Sequence, residues 1–340
     1  MRWGVLAAFA ICGATGGVYA QSPVGRAIPV TADNFNRAET DMYFAGAAKR
    51  GAFGKFFHYR ELPLESPVVR PTRDTLYSEA VFDLDAGPVR ITLPKMGNRF
   101  MSMIVINEDH YVYEVDYTPG NYNFTRAEVG TRYVFMALRI LIDPANPKDI
   151  KEAHALQDAV IVRQKSPGKL ELPNWDTVSQ NKVRDSLLAL NSTLPDLKRA
   201  FGARFQVDQV RHLIGTAAAW GGNPDKDAIY LNVTPPKNDG STAYRLNVPA
   251  KVPVNAFWSI TVYDAEGHLR KNQHNSYSLN SVTAKKKADG TVPVQFGNCD
   301  GKIPNCIPTM NGWNYMVRLY RPRDEILSGK WKFPEAKAVN

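Results

Sequence analysis

The chain has 340 residues, 44% of them hydrophobic, and its 42 basic against 33 acidic side chains give a formal charge of +9. That length and apolar content suffice for one large or two ordinary globular domains and exclude an extended disordered polymer. Basic residues alternate with acids along most of the chain. The only dense run, Lys285-Lys286-Lys287, reads as a solvated loop before Asp289-Gly290, so the stripe of positive charge that grips nucleic acid is missing.

Residues 1–20 have the three parts of a secretory signal: Arg2, an apolar run over 5–12, and small or tolerated residues at Val18 and Ala20 before Gln21. A membrane span needs about 20 apolar residues, and Gly13, Gly16 and Gly17 break this run well short of that. No later segment is apolar enough to span. The expectation is cleavage near Ala20 and work in the periplasm or outside the cell; the Ala10–Gly13 stretch offers the alternative of lipid attachment at Cys12. Loss of Cys12 leaves Cys299 and Cys306, with six residues between them including Gly301 and Pro304. In an oxidising compartment that spacing predicts a loop-closing disulfide rather than a metal or redox pair.

A helix is predicted from Asp33 or Asn34 as cap, with Phe35, Ala38, Met42 and Ala45 on one face and Gly51 and Gly54 closing it. Strand patterns follow at 81–85, 89–93, 100–106, 111–117 and 132–141, punctuated by turns rather than by helices. From Pro147 to Phe205 the period becomes helical. Pro147 suits a helix start, a second helix is predicted over 178–190, and a third begins near Val207 with Asp208 as cap and ends at Gly221-Gly222. Strands return at 244–248, 257–264, 291–296 and 313–320. The pattern predicts a mainly β protein: an N-terminal lobe over 30–145, a helical segment over 146–225 and a C-terminal lobe over 226–338.

Residues 257–264, Asn272, Tyr277-Ser278-Leu279, Asp289-Gly290, Trp313-Asn314-Tyr315 and 318–322 resemble the bacterial domain of unknown function 1214. The N-terminal half, through 73–78 and 107–111, resembles its usual partner, the domain of unknown function 1254. The two resemblances cover about residues 30–338. They imply two jelly-roll-like antiparallel β-sandwich lobes joined through helices, in proteins that are often exported. They imply no reaction.

The sequence holds no nucleophile elbow, no zinc-binding His-Glu-x-x-His, no phosphate-cradling glycine loop and no dinucleotide fingerprint, and no nucleotide cofactor is expected. Candidate site residues therefore come from polar strings beside strands. In Arg73–Ser78, alternation puts Arg73, Thr75 and Tyr77 on one face and Asp74 and Ser78 on the other. A guanidinium and a phenol pointing inward would suit a carboxylate; an Arg73–Asp74 pair pinning the strand is the competing reading. In Asn107–Tyr111, Glu108 or Asp109 could orient His110 as a general base or join it in holding a divalent metal, with His58 as a second imidazole. The competing reading is a hairpin turn, because neighbours on a strand face opposite ways. Trp220, ahead of Gly221-Gly222 and Asn223, could stack on a sugar or aromatic ligand, or simply pack in the core at a helix end.

Three functions fit. The first is binding of a polar or anionic small molecule or envelope glycan through Arg73, Tyr77, Trp220 and Asn223. The second is a metal-dependent or acid/base enzyme using His110, Asp109 and Asp74. The third is a structural or assembly protein, with a homo-oligomer left open.

Overall fold

Residues 27–64 and 69–339 are described by the computed structural model; the signal segment, with Cys12 and Ala20, lies outside the described residues. In chain order the elements are α1 (Phe35–Lys49), β1 (Phe57–His58), β2 (Thr75–Asp83), β3 (Val89–Leu93), β4 (Met101–Asn107), β5 (Val112–Asp116), β6 (Gly120–Phe124), α2 (Arg126–Val129), β7 (Tyr133–Leu141), α3 (Pro147–Asp158) and β8 (Ile161–Arg163). They continue with α4 (Thr177–Asn191), α5 (Gln209–Ala218), β9 (Ala228–Val233), β10 (Tyr244–Val248), β11 (Trp258–Tyr263), β12 (Ser278–Asn280), β13 (Val292–Phe296), β14 (Cys306–Ile307), β15 (Asn314–Tyr320), α6 (Asp324–Leu327) and β16 (Lys337–Ala338). Among the described residues no helix is long and apolar enough to cross a membrane.

The N-terminal lobe sets a sheet of order β1-β2-β7-β4-β5 against a smaller one of order β6-β3-β8, all antiparallel. Alternation explains the packing. Leu76, Phe82, Met103, Val105, Met136 and Leu138 point into the space between the sheets and meet Ile91 and Phe124. The other face of the large sheet carries Val81, Ile104, Ile106, Phe135 and Ala137, covered by Phe44 and Ala47 of α1. Every residue of β7 is buried as a result. The helical segment is shorter than the periodicity suggests. Pro147 does open α3, but Ala153 joins the first core and β8 pairs with β3, so both elements belong to the N-terminal lobe. The helices left between the lobes are α4 and α5, with α1 packed against them through Phe35 and Ala38.

The C-terminal lobe is a second sandwich, order β12-β11-β15-β9 over order β14-β13-β10-β16, antiparallel except for the short parallel β13–β14 pair. Ile260, Val262, Val317 and Leu319 face Leu246, Val248, Val294 and Phe296 across its core. Beside that core Cys299 and Cys306, seven positions apart in sequence, are joined with the sulfurs 2.04 Å apart. Closing so short a loop removes about 2 kcal/mol of denatured-state freedom. The double substitution Cys299→Ser, Cys306→Ser is expected to lower the free energy of unfolding by that amount in a urea titration.

The helix α1 departs from its predicted face. Met42 is exposed, whereas Glu39, Thr40 and Asp41 are buried. Each has a partner that makes burial tolerable. Glu39 pairs with Arg184 at 2.6 Å, Thr40 accepts the Trp220 indole N–H at 3.1 Å, and Asp41 accepts that of Trp175 at 2.8 Å. Wedged between a sheet and two helices, α1 has no single apolar stripe.

Candidate functional site

The second face of the C-terminal large sheet is turned toward the part of the N-terminal large sheet that α1 leaves uncovered. On the C-terminal side the register sets Asn280, Ser259, Arg318 and Tyr230 in one row across β12, β11, β15 and β9. On the N-terminal side Ser102, Arg139 and Tyr77 form a row across β4, β7 and β2. Direct bonds bring the two faces together. Asn280 donates to Asp74 Oδ1 at 3.1 Å, Arg318 Nη2 donates to the Arg70 carbonyl at 2.8 Å, and the Tyr263 hydroxyl donates to the Pro71 carbonyl at 2.8 Å.

Arg139 lies at the centre of this contact, 7% exposed. Its guanidinium donates to the Tyr77 hydroxyl (3.1 Å), Asn223 Oδ1 (3.4 Å) and the Gly221 carbonyl (3.2 Å), and it also lies 5.3 Å from the centre of the Tyr77 ring. All three acceptors are neutral. Among the described residues no carboxylate comes within ion-pair distance of Arg139. Burial works against its positive charge, and the hydrogen bond accepted by the Tyr77 oxygen works for it. A buried guanidinium without a counter-ion is expensive and seldom kept.

The phenols beside it have protons to give. The Tyr77 oxygen accepts from Arg139, and the Tyr230 oxygen accepts from Asn223 Nδ2 at 2.8 Å. Neither hydroxyl proton meets an acceptor among the described residues, and both side chains are only half-buried. Burial pushes the Tyr230 and Tyr320 pKa values up, so these groups stay protonated donors. Two more hydroxyls on the facing sheets, Ser259 Oγ in the row of Arg318 and Thr75 Oγ1 two residues along β2 from Tyr77, are buried without a partner. The layer as a whole holds two buried guanidinia, Arg139 and Arg318, and the Asp74 carboxylate. Around Arg139 itself the side chains are a cation and phenolic O–H donors, which is the inventory that holds a carboxylate.

Two of the residues expected to bind a ligand, Tyr77 and Asn223, meet at Arg139. Asp74 belongs to the same inter-lobe layer, held by Thr72 Oγ1 at 2.8 Å and by Asn280. Arg73 leaves it: its guanidinium donates to the Pro63 carbonyl at 2.8 Å and covers the Tyr277 ring at 5.0 Å. Arg139 and Tyr230 were missed. The usable signal was an arginine inside the apolar run 133–141, since arginine is almost never buried without a reason.

The Asn107–Tyr111 string forms the β4–β5 turn. Asn107 Oδ1 accepts from the backbone of Asp109 and Tyr111, both at 3.0 Å, and His110 takes a left-handed φ of 66°. The turn sends neighbours in opposite directions. Asp109 goes outward to Arg37 at 2.7 Å, and His110 goes inward, fully buried. There His110 Nε2 accepts the Gly221 N–H at 2.8 Å, which puts the ring proton on Nδ1, facing Thr216 Oγ1 at 2.8 Å. Both nitrogens are used. Burial, with His212 beside it, lowers its pKa well below the ordinary value, so the ring is neutral. Trp220 stacks on Tyr43 at 4.3 Å on one side and His110 at 5.4 Å on the other, so its faces are occupied by protein. His58 bonds Ser78 Oγ at 2.7 Å. The partners of His58, Arg73, Asp109 and His110 are disjoint, and these residues do not make one site. Among the described residues no group of three or more His, Cys, Asp or Glu side chains is placed to hold a metal ion.

Behind that turn Asp41 sits with its Oδ1 buried and unpartnered. Burial, reinforced by Glu108 and Asp109 against the Trp175 bond and Arg37, pushes its pKa up to about 7. A carboxyl raised above its unfolded value of 3.8 keeps its proton longer in the fold, so stability is lost as pH rises from about 4 toward 7. Asp41→Asn is expected to raise the unfolding free energy by about 3 kcal/mol at pH 8 and to change it little at pH 4. Urea titrations at the two pH values would show the difference.

Two surface depressions lie apart from the inter-lobe layer. One of about 340 Å³ is lined by Lys251, Trp258, Lys286 and Arg323, the other, about 330 Å³, by Pro94, Met96, Arg99 and Leu156. Neither includes Arg139 or its partners.

Comparison with known proteins supports the same two-part organisation. Residues 53–121 match the family described as protein of unknown function DUF1254, and residues 232–324 match that described as protein of unknown function DUF1214. No curated protein matches. Among solved structures, the VPA0106 protein from Vibrio parahaemolyticus is similar with a TM-score of 0.71 at 19% identity, over 90% of this chain and 98% of that one. An uncharacterized protein from Burkholderia cenocepacia is similar with a TM-score of 0.50 at 14% identity, over 91% and 88%. At such identities the likeness concerns the fold alone. The matched segments contain Tyr77 on one side and Arg318 and Tyr320 on the other, while Arg139 and Asn223 lie between them. The two family matches fall in the order that the chain's own motifs resemble, DUF1254 in the N-terminal half and DUF1214 in the C-terminal half.

Proposed function

We propose that the protein binds a small carboxylate between its two lobes, at Arg139, after export from the cytoplasm. One observation carries the reading: a buried guanidinium with only neutral acceptors stands beside two phenolic protons that have none. A bound carboxylate supplies the missing charge and accepts from Arg139, Tyr77 and Tyr230 together. A neutral glycan would need acceptors as well as donors, and the lining offers few. Export is supported by the N-terminal signal pattern and agrees with the Cys299–Cys306 bond, since disulfides persist in oxidising compartments.

Isothermal titration of the purified chain with small carboxylates, against chloride at equal ionic strength, tests the reading. A saturable one-to-one heat from at least one carboxylate, accompanied by a rise in melting temperature, is expected. A chain inert to every carboxylate tried would remove the proposal.

A further inference from the structure

We infer that the carboxylate is carried on an aromatic ring, an inference that rests on the carboxylate reading above. Along β7, Arg139 and Leu141 share a face, and the Leu141 N–H bonds the Phe100 carbonyl at 3.0 Å on the neighbouring strand. Two residues along a strand span about 7 Å. One such step from the guanidinium the polar lining gives way to a wall of rings. Phe100 meets Phe257 edge to face at 5.1 Å and Tyr320 at 5.8 Å, and Phe257 and Tyr320 stack at 4.3 Å. Tyr117 closes the group 5.8 Å from Phe100, its own ring covered at 4.6 Å by Arg321.

Phe257 and Tyr320 are buried, but Phe100 and Tyr117 are only half-buried, so part of this ring wall is accessible. Aromatic walls of this kind favour another ring, met edge to face or offset, over an aliphatic body of equal size. A carboxylate on Arg139 and a ring one strand step away match the length of a benzoate or a phenylacetate.

Calorimetric titration of the full chain with benzoate, cyclohexanecarboxylate and acetate tests this. Benzoate is expected to bind at least 10-fold more tightly than either of the others, and Phe100→Leu, which keeps an apolar side chain of similar volume, to shrink that ratio toward one; Tyr117→Leu gives a second reading should the first variant fold poorly. Benzoate within threefold of acetate, or of cyclohexanecarboxylate, would overturn the aromatic assignment while leaving carboxylate binding intact. Failure of all three carboxylates to bind would instead overturn the carboxylate reading, and the aromatic assignment with it.

Discussion

Arg139→Met is expected to weaken carboxylate binding at least about 30-fold while changing the stability of the free protein by no more than about 1–2 kcal/mol. Truncating one side of a buried, hydrogen-bonded charge pair costs about 2–5 kcal/mol in binding, and the fold-change follows from about 1.4 kcal/mol per decade. The free protein has little to lose. Methionine removes an uncompensated buried charge, and such replacements are often neutral or stabilising. Against that gain stand the bonds to Tyr77, Asn223 and the Gly221 carbonyl, each worth about 1 kcal/mol net. Arg139→Lys keeps the charge but loses the planar fork, so its binding should fall between the two. Calorimetry measures the affinities and urea unfolding the stabilities. If Arg139 served only to clasp the lobes, the methionine variant would lose stability in proportion to its three bonds.

The second large effect concerns His110. Replacing it with alanine is expected to cost about 4 kcal/mol of unfolding free energy. The buried Gly221 N–H loses its acceptor, at about 1–3 kcal/mol for the orphaned group, while the Thr216 hydroxyl loses one bond and keeps its bond to the His212 carbonyl. Emptying the fully buried space of the imidazole adds about 2 kcal/mol. His110→Asn should recover part of the loss, because asparagine tolerates the left-handed region. The wild-type ring also sets an acid limit. Its folded pKa is depressed below the ordinary 6.5, as is that of His212, so the unfolded chain takes up protons that the fold refuses. The stability contributed by these two rings is present above about pH 6.5 and is lost as pH falls below it. Urea midpoints for wild type and both variants at pH 8 and pH 5 check the order and the sign together.

Much of the architecture was legible in the residues. Asp208 caps α5 by accepting from the Arg211 N–H at 3.0 Å, and Pro147 opens α3, as local chemistry predicts. The runs that become β7, β11 and β15 are apolar enough to announce buried strands. What pattern could not supply was β9, a short segment between Pro224 and Pro235 whose alternation is weak. It contributes Tyr230, so half the phenol pair was hidden with it. The polar side of α1 was hidden for a different reason: burial of Glu39 and Asp41 depends on Arg184 and Trp175, more than 130 positions away in sequence. Tyr77 and Asn223 were legible as polar residues at an element's edge. Arg139, the group that makes sense of them, was read as one more strand residue.

Carboxylate position in an experimental structure tests the central claim most directly. Crystals grown with the tightest-binding carboxylate, solved at a resolution that fixes its oxygens, should place them within hydrogen-bond distance of the Arg139 guanidinium and the Tyr77 and Tyr230 hydroxyls. A saturating carboxylate found instead in the depression beside Lys251 and Lys286, with the space at Arg139 filled by water, would contradict the account.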